Sequence, residues 1–338
     1  MLALGAAFLF ASGCSTNALQ VSGHGGFFIG GIPVTIAGAP ARQRVSADPA
    51  HAPPLALNGD YVRGATYVEY TRLAHPLAAF PVVMVPGGGL SGASFQDTPD
   101  GRPGWESWFL WHGYSVDIVD IDRTGRSPWR AFPEIEASEP SFRNNAFLWE
   151  TFRIGPPGSY ASAHAFVDTQ FPLGAFAELA SQAAPRFHPA ADEQAAAYDA
   201  VIRRLCPCIL LLHSASGPPG MAAAQRWPRL VKAVVAVEPS GAPERGPMAS
   251  PIPHIFIWGD HLGPAEADPS WQEEYREAQA YRNRLGAAGA ATRWIDLPAM
   301  HVRGNSHLLM MDRNSDQIAA MIDQALGQLL GASKESIR

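Results

Sequence analysis

The chain has 338 residues, of which 47% are hydrophobic and 17% charged. That is the composition of an ordinary globular chain, long enough for one large α/β domain with an insertion or for two small domains. A formal net charge of −6 supplies no basic field for nucleic acid, and heptads, repeats and charge blocks are absent.

Leu2 to Phe10 is an apolar run too short to span a membrane, and it ends in Ala11, Ser12, Gly13, Cys14. Small residues before a cysteine suit a signal segment over 1–14, with lipid attachment at Cys14 as a route to the membrane. Two features run against it: no Lys or Arg precedes the apolar run, and Ala11 stands where a lipoprotein site favours leucine. Residues 15–56, rich in Gly, Pro and Ala, read as a mobile tether with edge strands near 26–36. The fold proper is then expected to begin around Asp60, with a strand over Tyr61 to Thr71.

Pro81 to Val85 is a short apolar strand, followed at once by Pro86, Gly87, Gly88, Gly89, Leu90, Ser91, Gly92. Gly87, Gly89 and Gly92 match the spacing of a dinucleotide fingerprint. Such a fingerprint should open a helix, whereas 95–104 is polar and broken by Pro and Gly, which favours a loop whose backbone N–H groups face a carbonyl oxygen. Trp105 to His112 has helical spacing, and Tyr114 to Ile121 reads as the next strand. Asp122 and Arg126 are expected to organise the loop after it.

The alternation of strands and helices then breaks. Residues 128–190 hold Trp129, Phe132, Phe142, Phe147, Trp149, Phe152, Phe166, Phe171 and Phe176 among many prolines. They read as an inserted cap over an apolar pocket, for which Leu90, Phe152, Phe171 and His301 are the candidate lining residues. A second hydrophobic layer packed on the core is the competing reading. Asp192 to Leu205 is an amphipathic helix. Cys206 and Cys208 flank Pro207, too close for an easy bridge, and are expected to be buried thiols.

Ile209 to Leu212 is a buried parallel strand running into His213, Ser214, Ala215, Ser216, Gly217. A serine among small residues between strand and helix outlines a nucleophile elbow, although Leu212 stands where glycine is usual. Val231 to Val237 is the next strand, ending at Glu238; Pro253 to Trp258 follows, ending at Gly259 and Asp260. A helix over 271–285, a strand over 291–297, a loop with His301 and His307, and a helix over 315–330 complete the chain. The pattern predicts an α/β fold, a mostly parallel sheet with helices on both faces. Its core falls in two parts, 57–127 and 191–331, with 332–338 as a tail.

A serine hydroxyl becomes a nucleophile when a histidine takes its proton, and an anion orients that histidine. The chain offers Ser214, then Glu238 or Asp260, then His301 or His307, in an order compatible with an α/β-hydrolase. From about Pro81 onward the sequence resembles a group of secreted bacterial α/β-hydrolase esterases. The likeness lies in Thr98 to Trp105, in the elbow Leu212 to Gly217, in Glu238 and Pro239, and in Gly304 to His307 followed by Asp312 to Asn314.

Position by position, this resemblance implies Ser214 as nucleophile, Glu238 as acid and His307 as base, with Gly88 and Ala215 as oxyanion donors through their N–H groups. It also implies ester hydrolysis through an acyl-enzyme and a small-molecule ester as partner; the N-terminal segment points to export, and without the spacings of zinc or phosphate motifs neither metal nor organic cofactor is expected. Two other functions stay open: a non-catalytic binding lipoprotein of the same fold, and a dinucleotide-binding oxidoreductase using the glycine loop.

Overall fold

The computed structural model describes residues 18–43, 47–48, 50–129, 135, 139–244 and 252–331. The signal segment 1–14 with Cys14, Phe132 and the tail 332–338 lie outside these. The described strands are β1 (Val21–Ile36), β2 (Gly59–Leu73), β3 (Val82–Val85), β4 (Val116–Asp120), β5 (Cys208–His213), β6 (Val231–Val237), β7 (His254–Trp258) and β8 (Thr292–Asp296). The helices are α1 (Ala93–Gln96), α2 (Trp105–Trp111), α3 (Asn145–Thr151), α4 (Phe176–Ser181), α5 (Ala191–Leu205), α6 (Gly217–Arg226), α7 (Ser270–Ala287) and α8 (Ser315–Leu330).

The eight strands form one sheet in the order β1-β2-β4-β3-β5-β6-β7-β8. β1 and β2 are antiparallel to each other and β2 to β4, while β3 to β8 pair in parallel. Strands β3 to β7 are buried almost throughout, so their aliphatic residues divide between the two faces with period two. Val82, Met84, Ile209, Leu211, Val235 and Ile257 pack on the side of α2 and α8. Val83, Val85, Leu210, Leu212, Val234 and Phe256 pack on the side of α5, α6 and α7. This is the α/β-hydrolase arrangement read from the sequence, with helices covering both faces.

Two expectations are corrected. The fold starts well before Asp60: β1 pairs with β2 from Val21↔Leu73 to Ile36↔Gly59, so its glycines lie in a paired edge strand. Tyr67 fills the space beside Gly26, and its ring packs against Phe28. Cys206 and Cys208, expected as free thiols, form a disulfide, because the chain folds back at Pro207 and brings their Cα atoms to 4.3 Å.

Between β4 and α5 the chain leaves the sheet for α3, α4 and irregular segments. Ala184 N–H donates to Gly89 O at 2.9 Å, and Ser141 and Arg186 exchange both backbone hydrogen bonds at 2.9 Å. The first bond ties the excursion to the glycine loop after β3, and the second pair joins its two ends.

Candidate active site

β5 ends at His213, and Ser214 takes a left-handed backbone conformation, φ +54°, before a 3₁₀ turn (Ser214–Ser216) leads into α6. A non-glycine residue held there costs about 1–3 kcal/mol, and here the surroundings enforce it. Ser216 Oγ donates to Val85 O at 3.0 Å and to His213 O at 2.8 Å, pinning the turn to β3. A Cβ at Gly217 would come 2.6 Å from Pro239 Cβ, so only glycine lets helix and neighbouring loop pass. Leu212, the unexpected residue of the elbow, fits because α6 presents Gly220 to it: a Cβ there would stand 2.5 Å from Leu212 Cδ1. Ser214 and Ala215 keep partial exposure between buried flanks.

The glycine loop lies against this elbow. A Cβ at Gly87 would meet both His213 Nδ1 and Ser214 Cβ at 2.8 Å, so the lack of a side chain permits the contact. Gly92 N–H donates to the buried Asp120 Oδ1 at 2.6 Å, which fixes the far end of the loop. No long helix opens here, since α1 has four residues. The geometry is that of a loop serving the elbow, not of a dinucleotide fingerprint.

Glu238 follows β6, also left-handed at φ +46°, and His307 lies in the loop between β8 and α8. His307 Nδ1–H donates to Glu238 Oε2 at 2.9 Å, and both side chains are buried. Asp260, the other candidate acid, is turned elsewhere: it accepts from Gly304 N at 3.1 Å and from His261 N at 2.9 Å. His301 is exposed at the end of a 3₁₀ turn.

The His307 loop is held from below. Asp312 accepts from Ser306 N (2.9 Å), Ser306 Oγ (2.7 Å) and Asn305 Nδ2 (2.9 Å). Arg102 donates to Met311 O and Asp312 O, both at 3.2 Å, and Trp105 Nε1 donates to Ser315 O at 3.0 Å. Thr98 to Trp105 therefore clamps the segment after the histidine, a physical reason for those residue types.

A cavity of about 320 Å³ opens beside the elbow, with Gly88, Gly89, Arg186, Ala215 and Tyr198 in its wall. Of the expected pocket residues, Phe152 is not in this wall but touches the histidine: its carbonyl accepts from His307 N at 2.9 Å and its ring lies 5.5 Å from the imidazole. Leu90 and Phe171 do not line this cavity, being fully enclosed in the α2/α8 side of the core. His301 stays on the surface.

No protein-family model matches the chain. A fungal protein (strain ATCC 74256) named "Probable secreted lipase phiG" is 26% identical over 326 residues, spanning 79% of this chain and 86% of the relative. A structure described as that of a novel bacterial esterase, solved at atomic resolution, is 31% identical and superimposes with a TM-score of 0.78 over 93% of this chain and 98% of its own. The chain belongs to the esterase/lipase-like family of α/β-hydrolases.

This α/β-hydrolase carries one site residue that sequence reasoning missed. Arg153, fully buried and left-handed at φ +54°, directs Nη2 at both oxygens of Glu238, 2.6 and 2.7 Å away. Its Nε donates to Asp260 O at 2.8 Å, and its guanidinium lies 4.6 Å from the Trp271 ring. Trp271 in turn packs 4.4 Å from His307. An arginine 85 positions from its carboxylate, inside an aromatic-rich stretch, has no spacing that marks it in the sequence.

The charges of the hydrolase site follow from burial and pairing. Burial works to raise the Glu238 pKa, but Arg153 and His307 override it and hold the carboxyl down at about 2. Burial lowers the His307 pKa, with the Glu238 hydrogen bond opposing, so the ring rests neutral and ready to accept a proton. His213, with Nε2–H donating to His307 O at 3.0 Å, is pushed to about 3 by burial and by His307.

Proposed function

We propose that this protein is a serine carboxylesterase that cleaves a carboxylic ester through an acyl-enzyme on Ser214. The observation that carries the reading is the hydrogen bond from His307 Nδ1 to the ionised Glu238, in a fold where a left-handed serine ends the neighbouring strand. Membership of a family that includes proteins named lipase and esterase supports ester bonds as the target.

In this mechanism neutral His307 takes the Ser214 proton as Oγ attacks the ester carbonyl. Glu238 keeps the ring's other nitrogen protonated and stabilises the imidazolium. The N–H groups of Gly88 and Ala215 hold the tetrahedral oxyanion, helped by the start of α6. His307 then protonates the leaving alcohol and activates the water that frees the acid from Ser214. The excursion at 128–190 acts as a cap that shapes the substrate space.

Export is part of the proposal. It is supported by the Cys206–Cys208 disulfide, a bond that persists in oxidising compartments, and by the fungal relative named as secreted. Among the described residues no helix is long and apolar enough to cross a membrane, and Cys14 is the proposed point of any lipid anchor.

The test is hydrolysis of para-nitrophenyl esters of graded acyl length by the purified protein and by Ser214→Ala, Glu238→Gln and His307→Ala. Ester turnover by the wild type, falling about 10³-fold or more in the serine and histidine variants, is expected. Equal turnover in all four proteins would refute the assignment.

A further inference from the structure

The wall of the cavity beside the elbow contains Arg186, a cation with no hydrogen-bonded counter-charge, and Arg143 stands behind it. The backbone pairing of Ser141 with Arg186 sets Arg143 and Arg186 side by side, and Ala184 ties this ribbon to Gly89. The Arg186 guanidinium lies over the glycine loop: a Cβ at Gly88 would stand 2.8 Å from its Nε and 3.1 Å from its Cζ. The stem of Arg143 passes the same loop, its Cγ 3.8 Å from a Cβ built on Gly89.

Among the described residues neither guanidinium donates a hydrogen bond or forms an ion pair; Arg143 lies over the Phe147 ring at 4.0 Å. Arg186 is half-buried, so burial and the neighbouring Arg143 both work against its charge. The carboxylates within reach do not relieve it. Asp122, in the cavity wall, is engaged by Arg123 at 2.8 Å. Glu274 acts on Arg186 only at longer range, and its buried Oε2 has no hydrogen-bond partner.

A partly desolvated guanidinium without an acceptor is costly, and a second cation beside it makes the cost larger. The planar N–H fork of arginine matches a carboxylate with two parallel hydrogen bonds. Gly88 joins the two features, since its N–H is the proposed oxyanion donor and its Cα side lies under Arg186. An anion held by Arg186 therefore sits a few bonds from the scissile carbonyl.

We propose that Arg186, assisted by Arg143, forms a carboxylate-binding subsite beside the oxyanion loop, and that the ester cleaved is a hemiester of a short dicarboxylic acid. The inference rests on the esterase reading above and specifies its substrate class. The free carboxylate of the acyl group supplies the hydrogen-bonded acceptor that Arg186 lacks.

The experiment compares kcat/KM for mono-para-nitrophenyl glutarate with that for para-nitrophenyl valerate, a neutral ester of similar length. The wild type is expected to favour the acidic ester about tenfold or more, the size of a charge-assisted hydrogen bond, and added salt is expected to shrink that preference. Arg186→Met is expected to lower the ratio about tenfold, Arg186→Lys to retain part of it, and Arg143→Met to lower it less. The ratio is internal to each protein, so a partly folded variant does not mimic the effect. A wild-type ratio at or below one, or a ratio unmoved by Arg186→Met, would overturn the subsite while leaving the esterase intact. Turnover of neither ester by the wild type would instead bring down the esterase reading and the subsite with it.

Discussion

Arg153 directs one guanidinium nitrogen at both oxygens of Glu238, at 2.6 and 2.7 Å, and neither side chain is exposed to solvent. The carboxylate that orients His307 is thus held from two sides, by the imidazole and by an arginine. Gly259 N–H also donates to its Oε1. A buried ion pair of this kind contributes little net stability against an apolar replacement, but removing one partner strands the other charge.

Arg153→Met is therefore expected to destabilise the fold by about 3–5 kcal/mol. It is also expected to raise the Glu238 pKa, so that activity falls more at acid pH than at neutral pH. Urea unfolding, with the pH profile of ester turnover on the folded fraction, checks both effects. An unchanged midpoint and profile would show that the arginine is dispensable.

Gly220 and Leu212 form a second coupled pair. A Cβ at Gly220 would stand 2.5 and 2.6 Å from the two Leu212 methyl groups. Gly220→Ala is expected to cost about 1–3 kcal/mol by overpacking. Adding Leu212→Ala should recover part of that loss, giving a coupling of about 0.5–3 kcal/mol in a double-mutant cycle. Additive thermal shifts would contradict the packing described.

The pH dependence of turnover follows from His307. Its folded pKa lies below the ordinary 6.5, first through burial. The base stays neutral until the pH falls beneath that value, so the acid limb of kcat/KM is expected below pH 6.5. Glu238→Gln removes the group that supports the imidazolium, and is expected to move the limb further toward acid while lowering the rate.

His254 sets an acid limit on stability without touching the site. It is fully buried, with Nδ1 at 2.8 Å from Ile252 O and Nε2 without a partner, and burial depresses its pKa to about 4 from 6.5. Below pH 6.5 the unfolded chain binds a proton that the folded one refuses. The stability linked to this group is thus fully present above pH 6.5 and is lost as the pH falls through 6.5 toward about 4. His254→Phe is expected to remove about 2–3 kcal/mol of the loss between neutral pH and pH 4. Denaturant unfolding of both proteins at the two pH values measures it, and equal losses would contradict the assignment.

Much of this arrangement was legible because its physics is local. Val82 to Val85, Ile209 to Leu212 and Val231 to Val237 are too apolar for anything but doubly covered strands, and each ends on the residues that the site uses. Gly87 and Gly217 could be read as points of close approach. Glu238 and Asp260 remained tied on residue reading alone, because each ends a strand and only the three-dimensional position of His307 separates them. Arg153 and the Leu212–Gly220 fit were illegible, since the partners are joined by tertiary packing without a repeating interval. The extent of β1 is hidden because its glycines resemble a linker until Tyr67 and Tyr70 of β2 are seen to fill the space they leave. Leu90 and Phe171 stand near the loop and in the aromatic stretch, which suggests the substrate; both are instead buried in the core, to which that stretch also gives Leu148, Trp149 and Leu179.

The most direct measurement is peptide-mapping mass spectrometry after treatment with a fluorophosphonate, which phosphonylates a serine activated by a neighbouring imidazole. A single adduct on Ser214 is predicted, formed in the wild type and in Arg186→Met, absent from Ser214→Ala and strongly slowed in His307→Ala. An unlabelled wild type, or an adduct on any other residue with Ser214→Ala still hydrolysing esters at the full rate, would contradict the account.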